Sequence, residues 1–239
     1  MNIGLIFAGG TGKRMNSGGV PKQFLELYGK PIIIYTLEKF ENHDDIDSIV
    51  ISCLESYIPK MEKLCKKFHI TKAAAIVPGG ATGQESIANG LRKAAELYPA
   101  DSLILVHDGV RPLVDMDTIT RNIDCAKQNG NAVTVTPATE TVIAGSHDGC
   151  VGEILERSSC EMAKAPQTFV LGDLLGAHKR AAAEDKKDFI DSASLMRYYG
   201  AELHTVQGST ENIKITTPVD YYIFKAIITA KESSNAFGL

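Results

Sequence analysis

Asn2-Ile-Gly-Leu-Ile-Phe-Ala-Gly-Gly-Thr-Gly-Lys-Arg-Met15 runs from an apolar stretch into glycine and then into charge. Ile3 to Ala8 is long enough for one buried strand. Gly9, Gly10, Thr11 and Gly12 end it, and glycine lets a ligand come close to the main chain. Successive N–H groups in such a turn form a concave anion site. Lys13, Arg14 and Lys22 follow closely, so the stretch reads as strand, glycine turn and cation cluster. That combination suits a phosphate-rich ligand or, more plainly, a strand-to-helix turn with solvated lysines. Two phosphate motifs fail here. A P-loop would need glycine at Phe7 and Ser or Thr at Arg14. The dinucleotide fingerprint begins at Gly10 and Gly12 but meets Met15 where its third glycine belongs.

Working outward, 239 residues suit one large α/β domain or two small ones, with enough chain to bury a core without staples. The hydrophobic fraction of 44% and charged fraction of 23% are ordinary for a globular chain. A net charge of −4 disfavours a nucleic-acid coat. Cys53, Cys65, Cys125, Cys150 and Cys160 are scattered and odd in number, which reads as reduced thiols and points away from disulfides or zinc. The first residues lack the order of a signal peptide, and no apolar run is long enough for a membrane span. A soluble, cytoplasmic protein without membrane or nucleic-acid partners is expected.

Helices are expected at Pro31 to Phe40, Ile58 to Phe68, Ser86 to Tyr98, Thr118 to Gln128, Leu171 to Glu184, Ala193 to Tyr199, and after Pro218. Strands are expected around Ile49-Val-Ile51, at Ala73 to Val77, Ser102 to Val106, Ala132 to Thr136, Leu203 to Val206 and Ile213 to Ile215. The strands of the first half are continuous apolar runs, as in sheets covered on both faces. Alternation of strand and helix predicts a Rossmann-like, mostly parallel sheet with helices on both faces, in a single domain spanning 1–239. The pattern changes at Pro137. Thr139 to Val142 and Val151 to Leu155 flank a polar turn, which predicts a projecting β-arm over about 138–160 that packs on another subunit. On the last helix, Tyr222, Ala226 and Ile227 are expected to face inward, with fraying from Ser233.

Ligands of open parallel sheets bind beyond the carboxyl ends of the strands. Gly9 to Arg14, Gly79 to Ser86 and His107 to Arg111 all fall at such ends. Asp108 is a candidate Mg²⁺ ligand, since that ion takes one or two carboxylates plus phosphate oxygens. Arg111 is a candidate phosphate fork, and the alternative for both is an ion pair pinning a loop. His107 reads as a core or supporting histidine, not a general base. Lys214, between Ile213 and Ile215, reads on its own as an outward lysine on an edge strand.

Phe7 to Met15 followed by Pro21-Lys-Gln-Phe24 resembles the signature of sugar nucleotidyltransferases. More narrowly, it is similar to the CTP-dependent cytidylyltransferases of small polyol phosphates. These include the 2-C-methyl-D-erythritol 4-phosphate enzyme of isoprenoid synthesis and the D-ribitol 5-phosphate enzyme of wall and capsule polymers. The resemblance continues through His107 to Pro112, Ala165-Pro-Gln-Thr-Phe169, Asp191-Ser-Ala-Ser194 and Asn212-Ile-Lys-Ile-Thr-Thr-Pro218. It implies transfer of CMP from CTP to a polyol phosphate, with release of pyrophosphate. It also implies a divalent cation and a homodimer built through the β-arm. Arg14, Lys22 and Lys214 would be catalytic. Ala8, Gly9, Gly10, Thr11, Gly12, Lys22, Gly80, Ala81 and Ser86 would bind CTP. Asp108, Arg111, Thr141 and Arg157 would bind the acceptor, the last two reaching from the neighbouring subunit.

The chain departs from that pattern at Ala81 and Gly83, where an acidic residue and an arginine are usual. The acid helps read cytosine, so backbone groups of Ala8, Gly80 and Ala81 are expected to take over, with Ser86 at the base or ribose. The glycine turn and Val110-Arg111-Pro112 look like the ribitol branch; the Asp191 and Asn212 blocks look like the methylerythritol branch. The reading leans to ribitol. A relative using UTP or another NTP, or an inactive nucleotide-binding interaction protein, are the rival readings.

Overall fold

The computed structural model describes residues 1–10, 19–146 and 148–237, with side chains to 233. In chain order the elements are β1 (Asn2–Ala8), β2 (Glu26–Leu27), β3 (Lys30–Pro31), α1 (Ile32–Glu41), β4 (Ser48–Cys53), α2 (Ile58–Lys67), β5 (Ala73–Pro78), α3 (Gly83–Leu97), β6 (Leu103–Asp108), α4 (Met116–Asn129) and β7 (Asn131–Pro137). They continue with β8 (Ile143–Ala144), β9 (Glu153–Ile154), β10 (Glu161–Val170), α5 (Leu171–Ala183), α6 (Ser192–Tyr198), β11 (Thr205–Gln207) and α7 (Pro218–Phe237).

Seven strands form one sheet in the order β11-β7-β10-β6-β1-β4-β5. β1 pairs in parallel with β4 and β6, β4 with β5, and β11 with β7; β10 is antiparallel to both of its neighbours. The expected mostly parallel, doubly covered sheet is what the chain forms.

Side chains of a strand alternate between faces, and β1 shows the consequence. Ile6 and Ala8 join Ile49 and Ile51 under Ile33, Leu37 and Phe40 of α1 and Ile119 and Ile123 of α4. Ile3 and Leu5 join Val50, Ile104 and Val106 under Leu91 of α3 and Leu174 of α5. Each large apolar side chain among them, fully buried, contributes about 1.5–3 kcal/mol. A third cluster packs Phe224 of α7 on Leu27, Ile32, Val110, Leu113 and Ile215. That cluster fixes the segment carrying Lys214 against the turn after β6.

Several expectations need correction. α3 starts at Gly83, earlier than Ser86, because Thr82 caps it by accepting from the Glu85 N–H at 3.1 Å. Thr139 to Val142 is not a strand; the arm's strands are Ile143–Ala144 and Glu153–Ile154, only two residues each. The expected strand at Leu203 to Val206 is displaced to Thr205–Gln207, and Ile213 to Ile215 forms none. On α7 the inner residues are Tyr221, Phe224, Ile227 and Ile228, whereas Tyr222 and Ala226 are exposed and the helix continues to Phe237. β10 has no counterpart among the expected strands, because Pro166 reads as a strand breaker. It sits where the register shifts between Ala163 and Gln167, a place that tolerates proline. Among the described residues no helix is long and apolar enough to cross a membrane.

Candidate active site

The carboxyl ends of β1, β4, β5 and β6 lie along one rim, and backbone bonds tie their exits together. The Gly79 N–H donates to the Cys53 carbonyl at 2.6 Å, and the Gly109 N–H to the Phe7 carbonyl at 3.0 Å. A cleft of about 230 Å³ opens beside them, lined by Phe7, Gln84, Asp108, Arg111, Lys164 and Lys214 among others.

Next to the cleft, beyond Phe7, Gly83 and Gln84 of its lining, lies Gly9 at the end of β1. A Cβ on Gly9 would lie 2.4 Å from Ser86 Oγ, so only glycine fits. Ser86 cannot yield, because its buried hydroxyl accepts from the Gly80 N–H at 3.0 Å and donates to the Thr82 carbonyl at 2.8 Å. Glu85 Oε2 accepts from the Ala81 N–H at 2.7 Å. The N–H groups of Gly80 and Ala81 are therefore used inside the loop. Gln23, buried, donates to the carbonyls of Ala8 at 2.7 Å and Gly10 at 3.1 Å and so clamps the turn from behind. Nothing in its residue type singles out this glutamine, although it stands in the quoted Pro21 to Phe24 block. Lys22 opens the short 3₁₀ turn Lys22–Phe24 next to it. Thr11, Gly12 and Arg14 lie outside the described residues.

One wall of the cleft is a buried charge cluster. Asp108 is the last residue of β6, within the strand rather than in the loop that follows. Its Oδ2 accepts from Arg111 Nε at 2.8 Å, and its Oδ1 pairs with Lys214 Nζ at 2.6 Å. Burial alone would raise the Asp108 pKa, but the charges of Lys214 and Arg111 outweigh it and hold it down at about 2. Arg111 Nη1 also donates to the Asn212 carbonyl at 2.9 Å. The loop-pinning ion pair and the candidate phosphate fork are thus one side chain. His107 is fully buried behind this cluster, with Nε2 3.1 Å from the Arg111 carbonyl. Burial pushes its pKa down to about 4, so it is neutral near pH 7 and buttresses the turn without meeting the cleft.

Lys214 sits on a segment without regular secondary structure, not on the expected edge strand. The Ile215 N–H donates to the Val110 carbonyl at 2.9 Å, and the buried Asn212 Nδ2 to the Ala165 carbonyl at 2.6 Å. Those two bonds carry Lys214 from the far end of the chain to Asp108. On another side of the cleft, Gln167 donates to Asp191 Oδ2 at 2.8 Å and accepts from the Ala193 N–H at 2.9 Å, while Asp191 and Ser194 form the capping box of α6. The Asp191 block is therefore structural: it fixes the helix that closes the cleft.

Thr141 and Arg157 do not reach this cleft. Both are exposed on the arm, where Arg157 Nη1 approaches the Thr139 carbonyl at 3.5 Å. Ile143, Val151 and Ile154 are exposed beside them. Among the described residues no group of three or more acids, histidines or cysteines could cage a metal ion. Among the described residues Asp108 and Asp191 are the carboxylates that line the cleft; both Asp108 oxygens are held by Arg111 and Lys214, so a metal there would take one of them from its cation and draw its other ligands from phosphates.

The IspD family profile (2-C-methyl-D-erythritol 4-phosphate cytidylyltransferase) matches residues 3–230. The ribitol-5-phosphate cytidylyltransferase of Vibrio parahaemolyticus serotype O3:K6 is 50% identical, with 100% of both chains covered. The 2-C-methyl-D-erythritol 4-phosphate cytidylyltransferase of Bacillus licheniformis is 37% identical, over 95% of this chain and 96% of that one. The crystal structure of the corresponding enzyme from Thermus thermophilus superposes with a TM-score of 0.75 at 27% identity, over 95% of this chain and 98% of that one.

Proposed function

The chain belongs to the IspD family of cytidylyltransferases, and we propose that its reaction is transfer of CMP from CTP to D-ribitol 5-phosphate, giving CDP-ribitol and pyrophosphate. The observation that carries this reading is the Asp108–Arg111–Lys214 cluster at the strand-end rim beside the glycine turn. It gathers fixed cations where two phosphate-bearing substrates would meet. The 50% identity to a ribitol-5-phosphate enzyme favours ribitol as the acceptor.

An acceptor phosphate is largely a dianion near neutral pH, since its second pKa is about 6. Its oxygen attacks the α-phosphorus of CTP. That P–O bond forms as the bond to the bridging oxygen breaks, and the electron pair leaves with pyrophosphate. No proton has to move, so a neutral, buried His107 is no obstacle. The barrier lies in bringing anions together, and fixed cations lower it. Arg14 and Lys22 hold the triphosphate, Lys214 faces the reacting phosphoryl group, and Arg111 holds the acceptor. Asp108 aims both of its cations and serves the acceptor's hydroxyls. Asp108 would also hold Mg²⁺ together with triphosphate oxygens, and the ion would add neutralising charge.

The carbonyl oxygens of Gly80 and Ala81 accept from the exocyclic amine of cytosine. Uracil presents an acceptor there and is repelled. This replaces the missing acid at Ala81. The whole chain acts as a single domain in the cytoplasm, as a homodimer whose arm over about 138–160 delivers Thr141 and Arg157 to the neighbouring cleft.

Pyrophosphate release is the test, with Mg²⁺, CTP or UTP, and ribitol 5-phosphate, methylerythritol 4-phosphate or glycerol 3-phosphate. Release with CTP and ribitol 5-phosphate is expected. Release with the methylerythritol compound instead would move the chain to that acceptor, and release with UTP would overturn the base assignment.

A further inference from the structure

β10 leaves its ladder at the mouth of the cleft. Ala163 pairs with Val135, and pairing resumes only at Gln167 opposite Val133. Residues 164–166 therefore stand opposite the single residue Thr134, two more than regular pairing allows. Bulges of this kind re-aim a side chain and gather beside active sites. Here the re-aimed side chain is Lys164, which lines the cleft with Asp108, Arg111 and Lys214.

Its Nζ lies 3.4 Å from the Asn212 carbonyl, the same oxygen to which Arg111 Nη1 donates at 2.9 Å. Two cations thus converge on one neutral acceptor. The acids of the cleft are engaged elsewhere. Asp108 holds Arg111 and Lys214, while the oxygens of Asp191 accept from Gln167 and the Ser194 N–H. Among the described residues no carboxylate pairs with Lys164. Burial first, and the charge of Arg111 second, hold its amine below the ordinary lysine range. A half-buried cation beside another cation is unfavourable by itself. An anion of two charges placed between them removes that cost.

We propose that Lys164 is a binding residue for the acceptor's phosphate, closing on it opposite Arg111 as the second prong of a clamp fixed by the Asn212 carbonyl. Arg111 supplies directional donors and Lys164 a point charge. The clamp explains why β10 gives up its ladder here. It also implies that acceptors are chosen first by a terminal phosphate dianion and only then by the polyol chain. The inference rests on the cytidylyltransferase reading above.

The test is Lys164→Met, which keeps the apolar stem and its packing, beside Lys164→Arg. Ribitol 5-phosphate binding is measured by calorimetry with a non-reactive CTP analogue present, and KM for each substrate by pyrophosphate release. Lys164→Met is expected to weaken acceptor binding about tenfold to a hundredfold, as loss of one bond to a charged group does. KM for CTP stays within about twofold, and Lys164→Arg restores most of the loss. In the wild type, acceptor KM rises with alkaline pH as the lowered amine loses its proton, and Lys164→Arg removes that rise. Acceptor binding unchanged in Lys164→Met overturns the clamp while leaving the proposed reaction standing. A rise in KM for CTP alone would move Lys164 to the triphosphate and also overturn it. A wild-type protein that binds no polyol phosphate would sink the proposed reaction and the clamp together.

Discussion

The charge cluster and the arm are both assigned to the acceptor, yet they are built in opposite ways. Asp108 and Arg111 have side chains only 9% and 12% exposed, and each is held by at least two partners from its own chain. Thr141 and Arg157 stand in water on a hairpin with two residue pairs of ladder, too few to be stable by itself. The cluster is complete within one chain because its geometry follows from a packed sheet. In the proposed homodimer the arm packs against the neighbouring copy. Fixed charges belong where they must not move during the reaction, and, in the proposed homodimer, exposed ones where a second copy would complete the site.

The contrast can be broken most strongly at Asp108. Asp108→Asn removes the anion between two cations and should cost about 3–5 kcal/mol of stability, read by urea unfolding. A cost below about 1 kcal/mol would mean the cluster is not a structural unit. Lys214→Met should leave the fold intact and lower kcat about a hundredfold, near 3 kcal/mol in barrier. Mixing that variant with Arg157→Ala tests the arm's reach. Only a mixed dimer has one cleft with Lys214 and a neighbouring Arg157, so at low acceptor concentration activity should rise on mixing above the sum of the two variants, and would stay at that sum if each arm served its own chain.

Gly9→Ala should cost about 2 kcal/mol, because its methyl meets a hydroxyl fixed by two hydrogen bonds. KM for CTP should rise with it. The pH dependence sharpens the picture of the buried side. Burial lowers both His107 and His178 from 6.5 to about 4. Unfolded, these histidines take protons as the pH falls through 6.5, whereas the folded ones resist until about 4. Their stabilisation is thus fully present above 6.5 and is lost as the pH falls toward 4, by about 2 kcal/mol per histidine at pH 5. Urea midpoints at about pH 7 and pH 5 measure it, and His178→Gln should flatten the slope. Arg157→Ala, at the small end, should change stability by less than about 0.5 kcal/mol while raising the acceptor KM.

Much of this was legible in the chain itself. β1, β4 and β6 are continuous apolar runs, so their burial and order of alternation could be read directly. β10 could not, because its partners bury polar groups. Thr134 Oγ1 donates to the Pro166 carbonyl at 2.6 Å and accepts from Asn122 Nδ2 at 2.8 Å, and Thr168 Oγ1 donates to Asn122 Oδ1 at 3.2 Å. A core satisfied by hydrogen bonds carries no hydrophobic signal. Asp108 and Arg111 stand out as a pair because they are close neighbours in the chain. Lys164 does not, because a lone lysine looks the same whether solvated or aimed into a cleft, and only the register shift reveals the difference.

The sequence by itself determined the alternation of strand and helix, the rim on which ligands bind and the glycine turn, since each depends on neighbours within a few residues. Tertiary structure alone decided that Arg111 and Lys214 share the carboxylate of Asp108, and that Lys164 and Arg111 share the Asn212 carbonyl. Each of those meetings brings in a residue far along the chain, Lys214 in the first and Asn212 in the second. They are fixed by sheet register and by the packing of α7 over residues 212–216, which no local pattern of residue types can specify.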